Sequence, residues 1–205
     1  MSFKVKFWGV RGSIATPSPK HVAFGGNTSC VEVACGGRRL IFDAGTGIRN
    51  LGHWLMRKNV YDAHLLLSHT HWDHINGFPF FSPAFHEGSS FTIMAGHVSE
   101  DGGIKRILAG QMTTPTFPVP LEAMRSSLEF EDFKAGENFK LYNDIQIRTM
   151  PPEPPLRRDG LPGRIQGQGD VLRHGYGTRS GQAGRKCAGA DRRRGSGDLR
   201  FDLYR

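Results

Sequence analysis

A chain of 205 residues suffices for one sizeable core and favours a single domain. Its net charge of +8 points at first to an acidic partner. However, residues 1–150 hold 15 Lys and Arg against 13 Asp and Glu, and residues 151–205 hold 12 against 6. The excess therefore sits outside the part that looks folded, which discounts it as a steering field. Cys30, Cys35 and Cys187 give neither a CxxC pair nor an even disulfide set. No apolar run approaches the length of a membrane span, and the start of the chain lacks a secretory apolar region. A cytoplasmic protein without membrane contact is expected.

Phe3–Phe7 alternates apolar and basic residues, which predicts a half-buried strand. Gly9, Gly12, Pro17 and Pro19 mark a long loop, and Gly25-Gly26-Asn27 a tight turn. Two strands follow, Cys30–Ala34 and Leu40–Phe42, joined through Gly36-Gly37 as in a hairpin. Cys30 and Cys35 are expected as small buried residues. Ile48, Leu51, Trp54 and Leu55 fall at helical spacing, so a helix is expected near 47–58. Ala63–Leu67, apolar but for His64, is a short run suited to a fully buried strand. Phe91–Ala95, Leu128–Phe133 and Asp144–Met150 are further strands, and Ile104, Ile107, Leu108 and Gln111 suggest a helix ending before Pro115. Helices mixed with strands and glycine-rich turns predict a layered α/β sandwich over residues 1–150.

The strand Ala63–Leu67 runs into His69-Thr70-His71-Trp72-Asp73-His74. Imidazoles and a carboxylate are the donors that a borderline cation such as zinc prefers. His69 and His71 lie two apart on extended chain and can share one ion. Asp73 and His74, where the chain turns toward a helix, can reach a second beside it. A surface histidine cluster is the bland alternative, and lone histidines such as His53 and His97 deserve it. Three histidines and an aspartate at this spacing, directly after a buried strand, do not.

His-x-His-x-Asp-His after an apolar strand resembles the signature of the metallo-β-lactamase superfamily. Phe42-Asp43-Ala44-Gly45-Thr46-Gly47 resembles its Asp-x-Gly turn. Trp8-Gly9-Val10-Arg11-Gly12-Ser13 and Gly25-Gly26-Asn27-Thr28-Ser29-Cys30 are similar to segments of phosphoribosyl cyclic phosphate phosphodiesterases and ribonuclease Z. The likeness covers about residues 3–150. It implies an αββα sandwich, here its N-terminal part, and two divalent ions, zinc or manganese. It further implies His69 and His71 on the first ion, and Asp73 and His74 on the second. Asp73 would be the catalytic residue that orients the attacking hydroxide or takes its proton. Asp43 would be the carboxylate that fixes a ligand imidazole; an ordinary turn aspartate is the competing reading. Gly25, Gly26, Gly45 and Gly47 are turn formers first. The implied activity is hydrolysis of a phosphodiester, in a cyclic phosphate or an RNA, by a hydroxide shared between two ions.

The same resemblance implies further ligands that the chain lacks: a histidine in an Asn-His-Pro setting after a strand, a bridging aspartate and a final histidine. The strand Ile145–Met150 arrives, but Pro151-Pro152-Glu153-Pro154-Pro155 follows. Residues 151–205 contain 11 Gly, 11 Arg and 5 Pro, with only 8 of Leu, Ile, Val and Phe. Such a segment buries too little apolar area to offset its ordering entropy, so a disordered basic tail is expected. Removing one C from codons that can encode this stretch restores Asn-His-Pro in register, which suggests that residues 151–205 are translated out of frame. Activity would then be impaired. An inert fragment, or an RNA-binding protein acting through its Arg/Gly tail, are the competing functions. Phe78, Phe80, Phe81 and Phe85 are candidates for the substrate entrance, although core packing is the expected use of at least two. Residues 111–120 read as a long loop near a pocket.

Overall fold

The computed structural model describes residues 3–143 and 145–149, together with the backbone course of 189–191 and 199–203. Six strands form the first sheet in sequence order: β1 (Phe3–Gly9), β2 (Cys30–Cys35), β3 (Arg38–Phe42), β4 (Asp62–Leu67), β5 (Ser90–Ala95) and β6 (Ser127–Asp132). The pairs β1–β2 and β2–β3 are antiparallel, while β3–β4, β4–β5 and β5–β6 are parallel. Parallel neighbours need crossovers, and these are α1 (Gly47–Arg57), α2 (Trp72–Ile75) with the short turns after it, and α3 (Gly103–Gln111).

The β2–β3 connection is the two-residue hairpin that Gly36-Gly37 foretells. Cys35 faces Arg38, and both glycines have positive φ, 55° and 87°. In α1, Ile48, Leu51 and Leu55 are fully buried, each contributing about 1.5–3 kcal/mol of apolar transfer. The helix stops where Asn59 turns left-handed at φ 52°. Cys30 and Cys35 are both buried, as expected. Burial, with the charges of Asp43 and Glu32, raises the Cys30 thiol well above its usual value, which keeps it protonated.

Two cores result. One lies between the first sheet and the helices and includes Ile41, Leu65, Leu67, Ile93, Ile104 and Leu108. The other lies on the opposite face, where Val33, Leu40, Leu66 and Met94 meet Leu141, Ile145 and Ile147 of a second sheet. That sheet has the order β7 (Asn138–Leu141), β8 (Ile145–Thr149), β10 (Leu199–Leu203), β9 (Gly189–Asp191). Helix, sheet and sheet are therefore the three layers among the described residues, the N-terminal portion of the expected four-layer sandwich.

Sequence reading places no regular element beyond Met150, yet β9 and β10 lie there. Leu199-Arg200-Phe201-Asp202-Leu203 alternates apolar and charged residues, the pattern of a strand, and it pairs in parallel with β8. The expectation of disorder for the rest of 151–205 falls outside the described residues. No helix among the described residues is long and apolar enough to cross a membrane.

Candidate functional site

The C-terminal ends of β3, β4, β5 and β6 line up along one edge of the sheet, and the candidate residues sit in the loops that leave it. Because Phe42 pairs with Leu66, the residues just past β3 and β4 are neighbours. Asp43 N–H continues the ladder by donating to Leu66 O at 3.0 Å. The Asp43 turn is then stitched to α2: Ala44 N–H donates to His74 O at 2.7 Å, and Gly77 N–H to Ala44 O at 2.9 Å. Gly45 has no room for a side chain, since a Cβ there would lie 2.3 Å from Asp73 O and 2.5 Å from Thr28 Oγ1. Close approach, rather than turn formation alone, explains this glycine.

All four motif residues come together. His69 and Asp73 are buried, His74 is half-buried and His71 is exposed. The His69 ring centroid lies 4.6 Å from that of His71 and 3.9 Å from that of His74. His74 Nε2 lies 3.4 Å from Asp73 Oδ2, and its Nδ1 lies 2.8 Å from Asp43 Oδ2. A proton on Nδ1, held by Asp43, leaves the Nε2 lone pair on the Asp73 side, the tautomer a metal ligand needs. Asp43 is itself saturated. Its Oδ2 also accepts from Ser29 Oγ at 2.9 Å, and its Oδ1 accepts from Ser68 N–H at 2.9 Å and Ser68 Oγ at 2.8 Å. Burial pulls the His74 pKa down, but the bond to Asp43 and the charges of Asp43 and Asp73 outweigh it, and the net shift is upward.

Three imidazoles and a carboxylate suit a zinc-like ion in chemistry. Among the described residues, however, no group of three or more His, Cys, Asp or Glu is arranged to hold a metal ion. A four-coordinate ion there would need ligands from elsewhere.

Several contributors carry no sequence signal. Ser13 N–H donates to Asp73 Oδ2 at 2.7 Å across sixty residues, with Ser13 held at φ 65°. Left-handed backbone at a serine is uncommon, and here it aims a donor at the motif aspartate. Ser29 reaches the site through strand pairing, and Ser68 directly precedes His69. Thr70 Oγ1 lies 3.2 Å from His97 Nε2, which places His97, just past β5, beside the motif. His86 instead stacks on Tyr61 at the opposite end of β4 and β5. Of the four phenylalanines, Phe78 and Phe81 are core, Phe85 packs against it, and Phe80 is 53% exposed. At the end of α3, Gln111 Nε2 donates to Ile75 O at 3.2 Å, and in the loop after it Phe117 meets Phe80 edge-on at 5.7 Å.

No protein-family profile matches the sequence. The chain is 31% identical over 123 residues to ribonuclease Z of Haloarcula marismortui, an alignment covering 58% of this chain and 36% of that protein. It thus spans little more than a third of that relative. Similar solved structures include the metallo-β-lactamase fold protein YhfI from Bacillus subtilis, with TM-score 0.45 and 17% identity over 68% of this chain and 49% of the other. A diphosphatase from the PhnP family gives TM-score 0.48 and 16% identity, over 69% and 54%. In sequence the chain is thus similar to a ribonuclease Z, and the solved structures similar to it include a metallo-β-lactamase fold protein.

Proposed function

We propose that this chain is a metal-dependent hydrolase of phosphodiester bonds, in an RNA or a cyclic phosphate, with His69 and His71 serving one ion and Asp73 and His74 a second. The observation that carries the reading is the gathering of these four side chains at the end of β4, with Asp43 bonded behind His74 at 2.8 Å. The likeness to a ribonuclease Z supports the substrate class. Two divalent ions, zinc or manganese, would supply Lewis acidity toward the phosphoryl oxygens and acidify water.

The chain's own residues do the positioning. Asp73 orients the attacking water and takes its proton. Ser13 N–H fixes the Asp73 carboxylate, and Asp43 fixes the His74 ring. With one oxygen engaged by Ser13, Asp73 presents the other to the reacting centre. The test is hydrolysis of bis(4-nitrophenyl) phosphate with added zinc or manganese, alongside metal counting on the purified protein. Activity that disappears in Asp73→Ala supports the reading. Absence of both bound metal and hydrolysis in a chain with the downstream reading frame restored overturns it.

A second proposal rests on the sequence after Met150: residues 151–205 are out of frame, and the activity of this chain is impaired because the remaining ligands are encoded in the other frame. Nucleotide sequencing across the Met150 codon decides this. An unshifted frame confirmed by independent reads refutes it.

A further inference from the structure

The loop between β1 and β2 is a twenty-residue excursion, Val10 to Ser29, whose root is built into the site. Val10 and Arg11 N–H groups both donate to Asn27 O, at 3.0 and 2.9 Å, and Thr16 N–H donates to Gly26 O at 2.8 Å. Arg11 Nε closes the neck further by donating to Gly25 O at 2.8 Å. Thr46, at the start of α1, makes no side-chain cap for its own helix. Its hydroxyl instead accepts from Thr28 N–H at 2.9 Å and donates to Asn27 Oδ1 at 3.1 Å. An ordered neck thus carries a tip, residues 17–25, away from the sheet.

The character of this arm is unusual. Ile14 is 67% exposed, Val22 82% and Phe24 70%. The loop carries Arg11 and Lys20 and contains no Asp or Glu; the first carboxylate in the chain is Glu32. Where the arm touches the site, through Ser13 and Asp73, the adjoining side chains Ile14 and Trp72 both face solvent, Trp72 at 71%. Two exposed rings, Phe24 and Trp72, beside Arg11 and Lys20 and a loop free of anions suit unpaired nucleotides: bases stack on the rings while phosphates meet the cations. A duplex would hide the base faces, so the fit is to a single strand.

We infer that the 10–29 arm, with Trp72, is the surface that holds single-stranded RNA leading into the site. The inference rests on the phosphodiesterase reading for its substrate and on the arm's exposed side chains for its location. The arm is rooted on Asp73 by a direct bond, so a strand gripped there is delivered to the reacting carboxylate.

The test uses the full chain and a fluorescein-labelled ten-nucleotide oligouridylate, read by anisotropy without added metal. Val22→Ser with Phe24→Ser should weaken binding about tenfold or more, the loss expected for one stacked base. Lys20→Glu should lower the slope of log affinity against log salt by about one. Lys58→Glu, a charge-matched change on exposed chain at the far end of α1, should leave the affinity as it is. Equal affinity in wild type and all arm variants overturns the inference, including the case in which the Arg-rich 151–205 segment does the binding. Phe24-dependent binding to phosphatidylglycerol vesicles in place of RNA, or a dimer dissolved by the same change, also overturns it. Arm-dependent binding of the oligonucleotide, with no bis(4-nitrophenyl) phosphate hydrolysis even in a chain whose downstream reading frame is restored, would sink the phosphodiesterase reading and support the arm as an RNA surface.

Discussion

Asp43→Asn tests the logic of the site most directly, because it keeps the volume and removes the charge. The carboxylate accepts four hydrogen bonds, two from Ser68 and one each from Ser29 and His74. An amide can keep its oxygen toward the two Ser68 donors and turn its NH2 toward Ser29 and His74. Ser29 can rotate its hydroxyl to accept, so its loss is small. His74 loses a charge-assisted bond, which contributes about 1.5–3 kcal/mol. Asparagine tolerates the left-handed conformation, φ 63°, so no backbone strain is added. Unfolding in urea should therefore show a loss of about 2–3 kcal/mol, or about 4–12 °C in melting temperature for a domain of this size. The loss depends on pH with a definite sign. A His74 pKa held up in the folded protein stabilises it at pH below the ordinary histidine value, and that stabilisation fades as pH rises through the raised value. The substitution should thus cost more at mildly acidic than at alkaline pH. A further consequence concerns the tautomer. Facing an NH2 donor, neutral His74 accepts at Nδ1 and carries its proton on Nε2, the nitrogen nearest Asp73. Zinc affinity should then fall about 10–100-fold. Nitrogen NMR of the imidazole and a competitive zinc titration read both effects. An unchanged tautomer with unchanged zinc affinity would refute the role given to Asp43.

Ser13→Pro removes the N–H that binds Asp73 and forbids φ 65°, so zinc affinity and hydrolysis should drop together by more than about tenfold. Ser13→Gly, which keeps both, should stay within about 1 kcal/mol of wild-type stability. Gly45→Ala forces a methyl onto Asp73 O and Thr28 Oγ1, both closer than 3.0 Å. It should destabilise by about 1–3 kcal/mol or more in urea, and wild-type stability would count against the close approach. Far from the site, Arg38 donates to Tyr142 O at 2.9 Å, and the Tyr142 ring meets His64 edge-on at 4.6 Å. Burial and the Asp62 charge push the Tyr142 phenol up to about 12, against the opposing pull of Arg38. Folding therefore favours the neutral phenol, and stability should fall as pH rises from the ordinary value near 10 toward about 12. Tyr142→Phe should flatten that decline in the urea midpoint, and an unchanged slope would refute the assignment.

What sequence alone made legible is whatever is local. The Gly36-Gly37 hairpin, the apolar stripe of α1 and the buried run of β4 are each written within a dozen residues, and the structure has all three. The four-residue strand β7 escaped because Asn138-Phe139-Lys140-Leu141 alternates too briefly to stand out from a loop. Leu199–Leu203 escaped because its composition is embedded in arginine and glycine, so that only the five-residue alternation marks it. Within the site, His69, His71, Asp73 and His74 were readable as one contiguous motif. Ser13, Ser29 and His97 were not, since each is brought there by chain remote in sequence. Ser13 has no donor-specific signature; only the neighbouring Gly12 hints at an unusual turn. His97 shows its place only once β5 is aligned beside β4, with Ala95 paired to Leu67.

Topology accounts for why one carboxylate after β3 finds an imidazole after β4. Parallel neighbours with short exits must place their next residues side by side at the same sheet edge. Given the pairing of Phe42 with Leu66, Asp43 meets the Ser68–His74 loop on the β4 side of the strand. The same edge receives the root of the 10–29 arm, because β2 continues the sheet on the other side of β3 and brings Thr28 and Ser29 to Thr46 and Asp43. A one-residue slip of β3 against either neighbour would turn Ile41 and Phe42 to opposite faces and break both cores. The register that buries these side chains is thus the register that assembles the site. Packing and chemistry are specified by the same pairing, and the arm is attached at the point where the two meet.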